Sequence, residues 1–328
     1  MKRRHIILGG MGLALVALYA LNNSWSADPS GELQIMAHRG VHHTYGREGL
    51  SRDACTATRI HAPTHGFIEN TRPSTAEAFR LGAHVVEIDV HPTTDGEFAV
   101  FHDWTLDCRT DGTGVTRDQS MAYLKRLDVG HGYTADGGQT FPLRGQGVGL
   151  MPTLNEMLDA FPERRFMINI KSNDPGEADL LHAYLEARAD SATERLTFYG
   201  GDRPMARLRQ LRPDARILSK ATLKACVRDY ALIGWTGRVP EACADTVIFV
   251  PGGWGPVLWG WPDRFLQRMQ SANSEVWIGG APDFNTGSLA GLDDPGSLHH
   301  VPQGWRGGVD TDRIELIAPA LQARSAGT

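Results

Sequence analysis

The chain lacks the marks of a nucleic-acid binder, a zinc protein or a repeat protein. Basic residues do not outnumber acidic ones: 33 Lys and Arg stand against 38 Asp and Glu in 328 residues. Phosphate backbones select basic surfaces, so nucleic acid is not the expected partner. Cysteine is scarce, and no two of Cys55, Cys108, Cys226 and Cys243 have the close spacing of a zinc knuckle. There is no linker, no long charge run and no internal repeat. Long apolar runs are scarce too. The main one, Ile6 to Leu21, has 16 residues, short of the roughly 20 that a membrane-spanning helix prefers.

That run has a recognisable setting. Lys2, Arg3 and Arg4 precede it, and Asn22 to Ala27 is small and polar apart from Trp25. Basic, apolar, then small is the layout of a signal peptide. Residues 1–27 are therefore expected to direct export to the periplasm or beyond, with Ser24-Trp25-Ser26 loosely fitting a cleavage site. An uncleaved membrane anchor is the alternative, and a buried core helix a third. Loss of the segment removes three positive charges and no negative ones, taking the formal charge from -5 to about -8. An exported chain with four cysteines can form two disulfides. Sequence does not dictate the pairing; Cys226 with Cys243 and Cys55 with Cys108 is the expectation, four buried thiols the alternative.

The remaining chain, 31–325, suits one large domain as well as two small ones. It alternates short apolar segments with amphipathic ones. Strands are expected at Gln34–Ala37, Val85–Val90, Phe98–Phe101, Phe166–Ile170, Leu196–Tyr199, Arg216–Leu218, Thr246–Val250 and Glu275–Ile278, rich in the Val, Ile and Phe of doubly buried strands. Helices are expected at Thr75–Leu81, Thr153–Phe161, Glu177–Ala189, Met205–Leu211 and Arg264–Ala272. Thr153 and Glu156 have the spacing of a capping box. Such alternation implies parallel strands under helices. Eight units point to an α/β fold, a single (β/α)8 TIM-type barrel with an inserted loop after the first strand. A doubly wound open sheet is the alternative. Gly307–Asp312 offers a ninth strand, so one assignment is in excess.

Within this pattern, chemistry-bearing residues collect where strands end. His38-Arg39-Gly40, Glu69-Asn70, Glu87-Ile88-Asp89 and His102-Asp103 follow one another within about 65 residues. Two histidines and three carboxylates, Glu69, Glu87 and Asp89, suit metal-assisted attack on a phosphodiester. Glu87 and Asp89, two apart on a strand, share a face and can reach one ion.

The order and spacing of His38-Arg39-Gly40, Glu69-Asn70-Thr71, Glu87-Ile88-Asp89-Val90 and Thr94-Asp95-Gly96 through His102-Asp103 resemble the glycerophosphodiester phosphodiesterase family. Val309-Asp310-Thr311-Asp312-Arg313 resembles its closing segment in shortened form. The likeness spans nearly all of the mature chain, loosely from about Ser191 to Trp305. It implies a TIM-type barrel, a divalent metal and hydrolysis of a phosphodiester on glycerol. It makes His38 and His102 the acid/base pair, and Glu87 and Asp89 metal ligands. Arg39 would hold a phosphate oxygen, and Glu69 would be a ligand or lie close to the metal. Lys171 would contact phosphate or form a structural ion pair. Trp277 resembles a tryptophan at the floor of the family's site. Oxygen ligands favour Mg²⁺ or Ca²⁺ over zinc.

Two departures from the family stand out. Where it has Glu-x-Lys at the fourth strand, this chain has Asn169-Ile170-Lys171; Asn169 can still ligate through its carbonyl but brings no charge. And 28 residues lie between Gly40 and Glu69, a longer loop than the family's, expected over the site's mouth. If Cys55 pairs with Cys108, that loop is tied to the segment after His102. Six other histidines, His84, His91, His131, His182, His299 and His300, read as surface or structural. His42 and His43 read the same way, although they adjoin His38.

Trp254, Trp259 and Trp261, with Leu258, crowd a Gly- and Pro-rich loop. They offer a wall for an acyl chain or contact with a membrane surface, or else they pack on outer helices. The expected substrate is thus a small phosphodiester or a lysophospholipid. A sphingomyelinase D-like or phosphoinositide-type lipase, and a non-catalytic exported binding protein on the same barrel, are the rival readings.

Overall fold

The structure, a computed structural model, describes residues 12, 15–50, 54–188, 191–283 and 288–326. Lys2, Arg3, Arg4 and the first part of the apolar run lie outside the described residues. So do Arg52 and Asp53 of the insertion.

Eight strands carry the fold: β1 (Gln34–His38), β2 (Val85–Pro92), β3 (Arg165–Ile170), β4 (Leu196–Gly200), β5 (Arg216–Ser219), β6 (Val247–Pro251), β7 (Glu275–Gly279) and β8 (Gly308–Thr311). They pair in parallel in the order β5-β4-β3-β2-β1-β8-β7-β6. Between β5 and β6 the Ile217 N–H donates to the Asp245 carbonyl at 3.1 Å, and the Thr246 hydroxyl donates to the Ile217 carbonyl at 2.8 Å. The result is a nearly closed (β/α)8 barrel.

The strand in excess is Phe98–Phe101. Phe98–Val100 pairs antiparallel with the end of β2, Val90 opposite Val100. Only Thr93 to Glu97 separates the two, whereas a parallel crossover needs a dozen residues or more. Gly308–Thr311 supplies the eighth barrel strand instead.

Thr153 caps Leu154–Ala160 with both bonds of the capping box. Thr71 caps Arg72–Arg80, with proline in the first turn. Two outer helices, Lys220–Ile233 and Ile314–Ala326, carry weak signals in the sequence. The first buries only Cys226 and Tyr230, and the second has Pro319 inside it.

Outward-facing Ile35, Ala37, Val86, Ile88 and Val309 pack under the helices, while Met36, Val85, Met167, Leu218, Val247 and Trp277 fill the barrel. A separate apolar cluster joins Ala57, Ile60 and Ile68 of the insertion to Phe101 and to Leu106 and Leu143 of the segment after His102. The disulfides are Cys55–Cys108 and Cys226–Cys243. Helical residues 15–22 lie against the barrel flank, where Arg268 donates to the Leu21 carbonyl at 2.8 Å. Among the described residues, no helix is long and apolar enough to cross a membrane.

Candidate active site

The His38-Arg39-Gly40 turn is built by its backbone. Arg39 and Gly40 both have positive φ, 60° and 81°. A Cβ on Gly40 would come within 2.4 Å of Ser74 Oγ, so only glycine fits. The Arg39 N–H donates to the Glu87 carbonyl and the Asn70 N–H to the Arg39 carbonyl, both at 3.0 Å. Asn70, at φ 58°, is a residue type that tolerates the left-handed region. Its amide donates to Asp89 Oδ2 at 3.0 Å and its carbonyl accepts from the Asp89 N–H at 3.1 Å. Three motifs separated in sequence are thus laced together at one end of the barrel.

Each histidine is oriented by an aspartate. His38 Nδ1 lies 2.6 Å from Asp312 Oδ1, and His102 Nδ1 lies 2.6 Å from Asp103 Oδ1. With Nδ1–H donating, each Nε2 is left as an acceptor. His38 Nε2 faces Glu87 Oε2 at 3.7 Å. Asp312 also meets His42 Nε2 at 3.4 Å and accepts from Arg47 at 2.9 Å. On the other side Arg109, buried, bridges Asp103 at 3.0 Å and Glu69 at 2.9 Å, and donates to Tyr133 at 2.7 Å.

Burial and the neighbouring Arg39 lower the pKa of His38, although Asp312 opposes this. Burial, Arg39 and Lys171 push His102 down to about 4. Both rings are therefore neutral near pH 7. Burial opposes ionisation of Asp312, but His38 and His42 outweigh it and hold the carboxyl well below its usual range. At Asp103, burial is likewise outweighed by Arg109 and His102, and the carboxyl stays ionised.

The expected metal ligands divide into two groups. Glu87 is buried; its Oε1 accepts from the Tyr199 hydroxyl at 2.5 Å, but its Oε2 has no hydrogen-bond partner. Burial and adjacent Asp89 push Glu87 up to about 8. A cation beside it would favour the ionised form and engage the free Oε2, so Glu87 fits a metal site. Asp89 is answered by Arg39 and Lys171, each at 3.3 Å, and by the Asn70 and Asn169 amides at 3.0 and 2.8 Å. Glu69 is answered in the same way: Arg109 and Arg39 each hold one of its oxygens at 2.9 Å, and together they outweigh burial to hold its pKa at about 2. Asn169 turns its amide to Asp89, and Lys171 makes an ion pair with the same carboxylate.

Trp277 is not brought to this cluster. It is 1% exposed inside the barrel, and its indole N–H donates to Glu275 at 3.1 Å, so it offers substrate no surface.

A family model for the glycerophosphoryl diester phosphodiesterase family matches residues 38–236. The chain belongs to this family. A glycerophosphodiester phosphodiesterase of Bacillus subtilis is 35% identical over 136 residues, 39% of this chain and 45% of that protein. Human glycerophosphodiester phosphodiesterase 1 is 35% identical over 77 residues, 24% of this chain and 23% of that protein. The chain thus spans less than half the length of these curated relatives. Among solved structures, a glycerophosphoryl diester phosphodiesterase domain from Mycobacterium tuberculosis has a TM-score of 0.59 at 15% identity, covering 90% of this chain and all of that one. An Oleispira antarctica phosphodiesterase, solved with its product sn-glycerol-3-phosphate, has a TM-score of 0.53 at 18% identity, covering 88% of this chain and 96% of that one. At such identity these two share the fold.

The matched stretch contains His38, Arg39, Glu69, Glu87, Asp89, His102, Asn169 and Lys171. It stops short of Asp312, which sequence reasoning placed only in the closing segment. Arg109, Tyr133 and Tyr199 gave no signal in the sequence, since each works through a contact made in the fold. His42 was read as structural, and the structure puts it on Asp312.

Proposed function

We propose that the chain is a phosphodiesterase acting on glycerophosphodiesters, dependent on Mg²⁺ or Ca²⁺. The observation that supports it best is the pair of aspartate-oriented histidines on either side of the Glu87, Asp89 and Arg39 group. One Nε2 takes the proton of the nucleophile, water or a neighbouring glycerol hydroxyl, as the new P–O bond forms. The other, protonated, gives its proton to the departing alcohol oxygen as the old P–O bond breaks. The neutral rings suit the first role. An anionic phosphodiester between them favours protonation of one ring for the second. Arg39 and Lys171 add positive charge where the phosphate sits. A bound divalent cation would supply further charge for the non-bridging oxygens, with Glu87 and Asp89 as its holders.

Two disulfides support export, because such bonds persist in oxidising compartments. A lipid substrate is supported by Trp254, Val257 and Trp259, which are 51%, 78% and 36% exposed beside β6. Trp261 instead packs on Trp305 and Phe265. The test is release of alcohol from glycerophosphocholine, lysophosphatidylcholine and sphingomyelin, with and without EDTA. The expected result is EDTA-sensitive release from the first two. No release from any diester would overturn the catalytic reading, and a clear preference for glycerophosphocholine would remove the lipid reading alone.

A further inference from the structure

One carboxylate inside the barrel is unused by this reading. Asp310 lies on β8, two residues before Asp312, and therefore on the same face of the strand. That face is the interior, since adjacent Val309 packs outward under the helices. The register sets Asp310 opposite Met36 on β1, and Glu87 on β2 opposite His38. β2 and β8 flank β1, and alternate strands of a barrel send side chains into a common layer. Glu87 and Asp310 stand in that relation.

The two share another property. Glu87 Oε2 and Asp310 Oδ1 are both buried with no hydrogen-bond partner, and Glu87 is only 2% exposed. The other carboxylates of the site are answered: Asp89 by Arg39 and Lys171, Glu69 by Arg39 and Arg109, Asp103 by Arg109, and Asp312 by His38 and Arg47. A buried carboxyl oxygen without a donor is costly. Two of them in one layer make the donor set that a hard cation takes. Meanwhile Asn169, where the resemblance leads one to expect a carboxylate, spends its amide on Asp89 and brings no charge.

We propose that Asp310 is a ligand of the divalent cation, held jointly with Glu87, and supplies the anionic charge that Asn169 lacks. The inference rests on the cation-dependent reading above. It is tested by calorimetric titration of Ca²⁺ and of Mg²⁺ into the EDTA-stripped full chain, with thermal unfolding followed alongside. Asp310→Asn should weaken cation affinity by roughly 10- to 100-fold. Its cation-free unfolding midpoint should hold or rise, because a neutral group replaces an unanswered carboxyl. Glu87→Gln should lose binding outright. If Asp310→Asn does not fold, Asp310→Ser is read in the same titration. Wild-type affinity in the Asp310 variant, with binding lost in Glu87→Gln, would overturn the proposal while leaving cation dependence intact. A wild-type chain that binds neither cation, yet hydrolyses diesters equally well in EDTA, would overturn both and leave the phosphodiesterase standing.

Discussion

The two histidines have the same local geometry but opposite architectures. His102 finds its orienting carboxylate one residue away, and His38 finds its own 274 residues away, at the end of β8. Asp103 is fixed from behind by Arg109, a buried cation that also holds Glu69. Asp312 has no comparable anchor; His38, His42 and Arg47 converge on it, two of them from the insertion after β1. One arm is a short motif braced by a buried ion-pair network. The other is an assembly of three segments meeting at a shared carboxylate. Equal hydrogen-bond lengths therefore do not imply equal tolerance to change.

The largest test asks whether both arms act in catalysis. His38→Ala and His102→Ala should each reduce turnover of glycerophosphocholine by roughly 10² to 10⁴. Wild-type rates in either variant would break the pairing. Next come the carboxylates. Asp312→Asn and Asp103→Asn should each lower kcat by about 10² or more, since an amide can orient the wrong tautomer. The Asp312 variant should suffer more, because three side chains lose their common partner. Equal losses would remove the asymmetry.

Stability separates the arms more sharply. Arg109→Met leaves Asp103 and Glu69 without their shared cation and should cost about 3–5 kcal/mol in chemical denaturation. Arg47→Met, on the half-exposed rim of the other arm, should cost only about 0–1 kcal/mol. Similar values for the two would show that the bracing is equivalent.

A further effect, spread over more than two pH units, lies in the pH dependence of stability. His102 and His43 are both pushed down to about 4 in the fold, chiefly by burial. Between pH 6.5 and 4 the unfolded chain binds these protons and the folded chain does not. Stability should therefore be complete above about pH 6.5 and fall as the pH drops through that window. The slope should approach about 1.4 kcal/mol per pH unit for each ring. Replacing His102 by Gln should remove one ring's share of the slope, and an unchanged slope would contradict the depressed pKa.

Much of this was legible from residues alone, for identifiable reasons. Apolar Val, Ile and Phe segments buried on both faces carry a strong strand signal, and Thr153 with Glu156 announces its own helix start. The hairpin at Phe98 misled because a buried antiparallel strand looks like a parallel one; only the five-residue connection tells them apart. His38, Arg39, Glu87, Asp89 and His102 lie in short motifs, and the fold brings these together. The orientations of Trp277 and Glu69 were not legible because direction cannot be read from identity. One indole points down the barrel to Glu275, and one carboxylate is closed by two arginines.

The sequence by itself determined the barrel class, the two histidines, the Glu87–Asp89 pair and the cysteines available for pairing. Each of these depends on periodicity or on residues close together in the chain. Tertiary structure alone decided that Asp312 orients His38, that Arg109 joins Asp103 to Glu69, and that Asp310 lies in the layer of Glu87. The physical reason is closure. When β8 pairs with β1, the last strand is set beside the first, and carboxylates more than 200 residues from the motifs enter the site.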